Sequence, residues 1–468
     1  MEKYKYQFST FNLFDYAGVE RHLGKMAAKG WQLDSVGSFF WKYKKAEPAA
    51  LKYSVTYVPE ASEFDPEPLE KQKDIEAYCK EAGWKKVGTW MQMQIFCSEH
   101  PAAVPIENDE ELRLEGIGKS MKKNFLVSHT LLLAVFLLNM FSTLSTARRD
   151  WVDFLSDNSK LWNSALWLWG IILLASDFAF YAIWMRRAKR AVKEGRSCPE
   201  PKGYRHWNRM AWCVLVVLVL GMYTSYSSGM VWFMVVYLVS ISVIIFGVCN
   251  LQKKLKKKGV SKEGNIVATV GLSVILSLVL MVGVVAVIME FDIPLTKKHE
   301  PVDTILVNGR EWKIYQDTLP LYTNDFIPSE SKSNSCKARE QSGILVEFGD
   351  YEEYLFDGKE VTSVTVANSY QVITVKAKFL YDFLLESVYE REFRHWDDEE
   401  KEKLEYRTVY ENENGKVCRQ YYNGGTDIAF VAYDWLVLTE DKIVSLQLYL
   451  DDLSNEQMEI ILEIFKKE

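Results

Sequence analysis

The spacing of apolar positions changes along the chain and divides it into three stretches. Near the start the period is two: Tyr4, Tyr6 and Phe8 alternate with Lys3, Lys5 and Gln7, as in a half-buried strand. It then becomes helical, placing Val19, Leu23, Met26, Ala27 and Gly30 on one stripe. Two more alternating runs follow, with Phe39, Trp41 and Tyr43 set against Phe40, Lys42 and Lys44, and Leu51, Tyr53, Val55 and Tyr57 set against Lys52, Ser54 and Thr56. After Asp65-Pro66-Glu67-Pro68 a second helix is expected to turn Ile75, Tyr78, Cys79 and Ala82 inward, and Met91, Met93 and Ile95 end the unit. This order predicts an α+β, ferredoxin-like βαββαβ domain over residues 1–100, its helices covering the aromatic face of a four-stranded sheet. The other face is expected to show Lys5, Lys42, Lys44, Lys52, Gln92 and Gln94.

The two halves of this stretch echo each other, since each helix ends in Gly-Trp, KGWQL at 29–33 and AGWKK at 82–86. Glycine just past a helix end takes the left-handed conformation, and the next apolar residue packs back on the last turn. Gly30 and Gly83 are therefore expected as caps, with Trp31 and Trp84 closing the core. With the aromatics assigned to the core, the sheet lacks the exposed rings on which single-stranded RNA readers stack bases. No nucleic acid is expected, and a protein in the cytoplasm is the expected partner.

From residue 123 the periodicity gives way to continuous apolar runs. Five reach the roughly 17–25 residues needed to cross a bilayer as a helix: Phe125–Leu144, Leu161–Trp184, Met210–Tyr226, Met230–Cys249 and Ile266–Met289. Residues 101–122 read as a linker before them. The net charge of −7 conceals a partition of about −2 over residues 1–122, about +12 over 123–289 and about −17 over 290–468. A soluble cytosolic enzyme is thereby excluded.

Short-loop lysines and arginines set orientation. Residues 185–209 carry nine basic residues against Glu194 and Glu200, and residues 250–265 carry six lysines against Glu263. Both loops are expected on the cytoplasmic side, as anchors beside anionic headgroups. The 145–160 loop balances Arg148, Arg149 and Lys160 with Asp150, Asp153 and Asp157, which suits the outside. The N-terminus is then cytoplasmic and residues 290–468 form an extracytoplasmic α+β domain in a multi-pass cell-membrane protein. Residues 1–30 hold no apolar run of signal-peptide length, so no cleavable signal is expected.

In that last domain Thr304–Val307, Gly343–Phe348, Val361–Val366, Val372–Lys376, Ala429–Tyr433, Trp435–Leu438 and Ile443–Tyr449 read as strands. A helix is expected from about Ala377 to Tyr406, and Ser454 starts a closing amphipathic helix with Met458, Ile461, Leu462 and Phe465 inward. Cys336 and Cys418 are the two cysteines expected outside, where a disulfide between them or two thiols are both compatible with the sequence.

Chemistry-bearing patterns are few. Gly118-Lys119-Ser120 lacks the earlier glycine of a phosphate-binding loop, its place being taken by Arg113. No metalloprotease, paired-cysteine, nucleophile-elbow or dinucleotide motif occurs, so no catalytic residue, metal or cofactor is expected. The acidic run His395-Trp396-Asp397-Asp398-Glu399-Glu400 reads as a solvated helix face in preference to a cation site. One pair stands out. Asp177 lies about 13 Å from the cytoplasmic end of the second run and His129 about 9 Å into the first, at ~1.5 Å per residue. Ionisable residues at such depth face a bundle interior or a water path, and a His129–Asp177 pair could act as a proton-sensitive hinge or relay.

The helix ending MAAKGWQL, the strands FFWKYKK and LKYSVTY, and the segment EAGWKKVG together resemble the domain-of-unknown-function 2812 family of Gram-positive-type bacterial membrane proteins, over residues 1–100. The resemblance implies several spans after the domain and, because genes of that family often neighbour PadR-type regulators, a role near signalling or envelope response. It implies no catalytic residue. The expected function is non-enzymatic coupling of an extracytoplasmic ligand or state to a cytoplasmic protein. The alternatives are a transporter or permease accessory subunit and a membrane enzyme acting on lipid or cell wall.

Overall fold

The computed structural model describes residues 3–8, 11–37, 40–62, 64–66, 70–100, 103–201, 203–226, 228–290, 300–307, 310–326, 335–356, 364–394, 398–402, 404–422, 434–448 and 453–467. They form two compact units, Met1–Asn139 with Leu166–Leu295, and Met140–Ala165 with Thr296–Glu468.

The first unit opens with a motif used twice. Strand β1 (Tyr4–Phe8), helix α1 (Tyr16–Ala28) and strands β2 (Trp31–Val36) and β3 (Phe40–Lys45) are followed by β4 (Lys52–Tyr57), α2 (Glu70–Glu81), β5 (Lys85–Trp90) and β6 (Met93–Ser98). The sheets are ordered β1-β3-β2 and β4-β6-β5, and every pairing is antiparallel. The expected single four-stranded βαββαβ sheet is thus replaced by two three-stranded sheets of identical order. The physical reason lies at the Gly-Trp steps. Gly30 and Gly83 take φ of +78° and +81°, and the chain leaves each helix directly into an additional strand, β2 or β5, that pairs with β3 or β6.

Burial also differs from the expected face assignment. Trp41 and Tyr43 are buried with Val19, Leu23 and Met26 of α1. Tyr4, Tyr6 and Phe8, however, pair with Lys44, Lys42 and Phe40, which puts them on the side opposite Trp41 and Tyr43, exposed to solvent. An edge strand flanked by solvent can alternate in either sense, and period alone does not say which. Gln92 and Gln94, expected on the open face, are fully buried, and Tyr78, expected inside, is exposed.

The stretch 101–122, expected as a linker, carries helix α3 (Glu110–Ser120), whose N-cap Asp109 Oδ1 accepts from the Glu111 and Leu112 amides at 2.8 and 3.2 Å. It continues through a π-helical turn, Met121–Leu126, into α4 (Val127–Ala147). After the short α5 (Trp151–Ser156) come α6 (Asn158–Lys193), α7 (Tyr204–Thr224), α8 (Ser228–Lys257) and α9 (Lys262–Glu290). Among the described residues, five helical stretches are long and apolar enough to cross a membrane, and they coincide with the five runs read from sequence. The small-sheet core continues without a break into Leu114, Ile117, Met121, Phe125, Trp184 and Ala188.

In the second unit β7 (Asp303–Val307) and β8 (Arg310–Ile314) form a hairpin. Next come α10 (Thr323–Phe326), β9 (Ser335–Ser342), β10 (Val346–Phe356), β11 (Val364–Val375), α11 (Tyr381–Glu392), α12 (Asp398–Lys401), β12 (Leu404–Asn412), β13 (Gly415–Tyr422), β14 (Asp434–Leu438), β15 (Lys442–Leu448) and α13 (Asn455–Lys467). One antiparallel sheet takes the order β12-β13-β14-β15-β11-β10-β9. One face packs Tyr370, Trp435, Val444 and Leu446 against Ile461, Leu462 and Phe465 of α13. The other packs Ile373, Leu436 and Ile443 against Leu384 and Val388 of α11 and Val152 and Leu155 of α5. The helix expected from 377 to 406 stops at Glu392. Tyr406 belongs instead to β12, where it pairs with Gln420 of β13, and Thr408 pairs with Cys418 of the α11-facing core. The expected strand 429–433 lies outside the described residues.

Candidate functional site

Helix α3 presents an apolar stripe, Leu114, Ile117 and Met121, to the small-sheet core, and on its first turn a set of charges that the same packing buries. The Arg113 side chain is only 8% exposed. It donates to Glu110 Oε1 at 2.6 Å, lies 3.4 Å from Glu107 Oε2 through Nε, and stacks its guanidinium 4.8 Å from the Tyr16 ring centroid. It also donates to the Glu107 carbonyl. Glu110 Oε2 accepts from the Tyr16 hydroxyl at 3.3 Å and from the Cys198 amide at 3.1 Å. Glu107 accepts from the Thr56 hydroxyl. The cluster therefore ties α1, β4, α3 and the α6–α7 loop together.

Beside it, Glu20 Oε1 accepts from the Val55 amide at 2.8 Å. Burial raises its pKa to about 7, because the Val55 amide and Arg113 only partly offset the lost hydration and Glu110 and Glu107 add repulsion. Burial also pushes the Tyr16 hydroxyl well up, and the Cys198 thiol up to about 12 with Glu110 adding to it. The thiol is thus protonated at neutral pH and unreactive. This arrangement has the form of a joint: Glu107 and Glu110, paired with Arg113 at the start of α3, accept from Thr56, Tyr16 and the Cys198 amide of three other segments. The π-helical turn directly after α3 is a geometry that concentrates at functional sites.

More than four turns beyond Arg113 along the same continuous helix, the structure brings His129 and Asp177 together, Nε2 to Oδ2 3.5 Å, both side chains about one-quarter exposed (25% and 24%). The imidazole stacks on Phe125 at 3.8 Å between centroids. The pair thus links α4 and α6.

The remaining sequence-predicted residues lie elsewhere. Gly30 and Gly83 end α1 and α2. Trp84 is buried with Cys79 and Phe96, while Trp31 packs partly buried at the edge of the larger core. The disulfide left open between Cys336 and Cys418 is overturned. β9 and β13 are five strand spacings apart in one sheet, about 24 Å at ~4.8 Å each, and the two residues pack into cores on opposite faces. A disulfide tolerates less than about 7 Å between Cα atoms. Gly118-Lys119-Ser120 lies within α3. Residues 395–397 of the acidic run lie outside the described residues, and Asp398, Glu399 and Glu400 sit on α12.

Residues 15–129 match the family model described as "Protein of unknown function (DUF2812)". The matched segment begins at the N-cap of α1 and ends at His129. It therefore extends past residue 100 and takes in α3, the π-helical turn and all of the joint except Cys198. No curated protein and no solved structure matches the chain. Sequence reasoning missed Glu107, Glu110, Arg113, Tyr16, Glu20 and Cys198. A signal was present: Asp109 before two glutamates, followed by Leu114, Ile117 and Met121 at helical spacing, marks a capped amphipathic helix inside the supposed linker.

Proposed function

We propose that the chain is a multi-pass membrane protein that passes the state of its 296–468 region, outside the cell membrane, to a protein bound at its small-sheet domain in the cytoplasm, without catalysing a reaction. The observation that carries this reading is the buried joint. A shift of the α4 or α6 end is felt at once by the Arg113 cluster, because α3 is continuous with α4 and Glu110 holds the Cys198 amide of the α6–α7 loop. The grouping of loops supports the orientation. The 145–160 loop belongs to the unit of the seven-stranded sheet, whereas the basic 185–209 and 250–265 loops belong to the unit of the small sheets. With five spans, that grouping agrees with the charge bias of the loops.

The test is photo-crosslinking of the full-length chain from native membranes through an exposed position on α1, such as Lys25. Capture of a regulator or kinase, with altered yield in Arg113→Met, is the expected result. Capture of transporter subunits alone, or a regulator captured equally well by both chains, would overturn the coupling reading.

A further inference from the structure

The open face of the β1-β3-β2 sheet carries side chains in a graded order. Phe8 pairs with Phe40, Tyr6 with Lys42 and Tyr4 with Lys44. Tyr4, Tyr6, Phe8 and Phe40 are 47%, 65%, 36% and 56% exposed. Scattered exposed apolar side chains need no explanation, but contiguous ones mark contact surfaces.

The purely apolar row is also the one that meets a membrane-length helix. Phe8 packs edge-to-face on Phe40 at 5.6 Å and on Trp212 of α7 at 5.5 Å. Trp212 lies about 9 Å along the helix from His206, at ~1.5 Å per residue, within the stretch His206–Thr224 that is apolar enough to span. On α7 the neighbouring Val216, Val217 and Leu220 are exposed as well, so the aromatic row continues a lipid-facing surface. Successive rows of the sheet recede by about 7 Å, and they change from Phe–Phe to Tyr–Lys. That is the composition of a bilayer interface read from acyl boundary to phosphates, where Tyr hydroxyls and snorkelling Lys ammonium groups sit at headgroup level. Lys42 is held for that level, its Nζ 3.8 Å from the Tyr4 ring centroid and 2.9 Å from Asp34. Lys44, exposed on the same face, adds a second cation to Lys42.

We propose that this face lies on the leaflet around α7, Phe8 and Phe40 entering the acyl boundary and Tyr4, Tyr6, Lys42 and Lys44 contacting anionic lipid phosphates. The proposal rests on α7 being a membrane span. A single-stranded RNA would instead need the Phe row free for base stacking, and Trp212 already packs on Phe8.

The experiment places a nitroxide at Tyr6→Cys in the full chain, its native cysteines replaced, in phosphatidylcholine vesicles with and without phosphatidylglycerol. Relaxation by oxygen and by an aqueous nickel chelate is compared with labels at Val216→Cys, on the span, and Lys25→Cys, on an exposed helix face. The Tyr6 label is expected to lose nickel accessibility relative to Lys25. The loss should be larger with phosphatidylglycerol and should vanish in Lys42→Glu/Lys44→Glu. A Tyr6 label as water-exposed as Lys25, beside a lipid-exposed Val216, overturns the proposal and leaves the spanning reading intact. A water-exposed Val216 overturns both. If Tyr6→Cys does not fold, Tyr4→Cys reports the adjacent row by the same criterion. Immobilisation by poly-uridine without response to lipid overturns the proposal in favour of RNA.

Discussion

In the first unit the core of two small sheets runs on into α3, Phe125 of the π-helical turn, and Trp184 and Ala188 of α6. In the second, the seven-stranded sheet is closed by α13 on one face and by α11 and α5 on the other, and the long helices contribute only Ala147 and Leu161 at their ends. The first domain therefore shares its stability with the helices that carry it, whereas the second makes its own. The polar groups follow the same division. Glu110 and Glu107, paired with Arg113, accept from Tyr16, the Cys198 amide and Thr56 across the seam. In the second unit the buried Glu353 serves one local purpose, accepting from the Thr323 amide and hydroxyl at 2.8 and 2.7 Å and from Asn368 at 2.9 Å. A seam held by charges is adjustable, and a sheet closed on both faces is not.

The comparison breaks first if the two units unfold together. Trp435→Ala empties the centre of the α13 face and is expected to cost about 3–5 kcal/mol. Hydrogen exchange should quicken across β13–β15 and α13 while α1 and β3 keep their protection; loss in both units would refute their independence. Arg113→Met leaves Glu110 and Glu107 facing each other at the seam. The cost should be about 3 kcal/mol, the low end for a broken buried pair because both glutamates keep some water. Exchange should rise in α3 and the 194–200 loop alone, and Arg113→Met/Glu110→Gln should recover part of it.

Acidity sharpens the comparison. Glu20 has a folded pKa of about 7 against an ordinary 4.5, so the folded state binds its proton more tightly. The stability it contributes is complete below about pH 4.5 and is lost as pH rises through 7, on the order of 3 kcal/mol. The α1–α3 seam should loosen between pH 5 and pH 8, after correction for intrinsic exchange, and Glu20→Gln should remove the dependence; a pH-independent wild type would sink this account. The smallest effect belongs to the second unit. Ser454 Oγ accepts from the Gln457 amide at 3.3 Å while the Gln457 side chain accepts from the Ser454 amide at 2.8 Å, a reciprocal cap. Ser454→Ala should cost about 1 kcal/mol, seen as faster exchange in the first turn of α13 only.

What could be read in advance was whatever a short window contains. Gly30 and Gly83 declared themselves because a left-handed residue after an apolar stripe is a local event, and Ser454 at the head of the apolar stripe of α13 did so for the same reason. The facing of β1 was not local. Tyr4, Tyr6 and Phe8 alternate correctly, yet both sides of an edge strand have apolar uses, and only the register with β3 sends them away from Trp41. The stem helix was hidden by its charges, which look like a solvated linker until Tyr16, Thr56 and the Cys198 amide are brought beside them.

By itself the sequence determined the five apolar stretches, the charge bias of their loops, the helix ends at Gly-Trp and the amphipathic face of α13, since each depends on composition or on periods within one or two turns. Only the tertiary structure decided that the halves of the small-sheet domain form two sheets of the same order, that Cys336 and Cys418 lie on opposite faces of one sheet, and that Glu107 and Glu110 meet Thr56, Tyr16 and the Cys198 amide. Those outcomes depend on pairings between residues dozens of positions apart, and a periodicity records that a side chain is buried without recording what buries it.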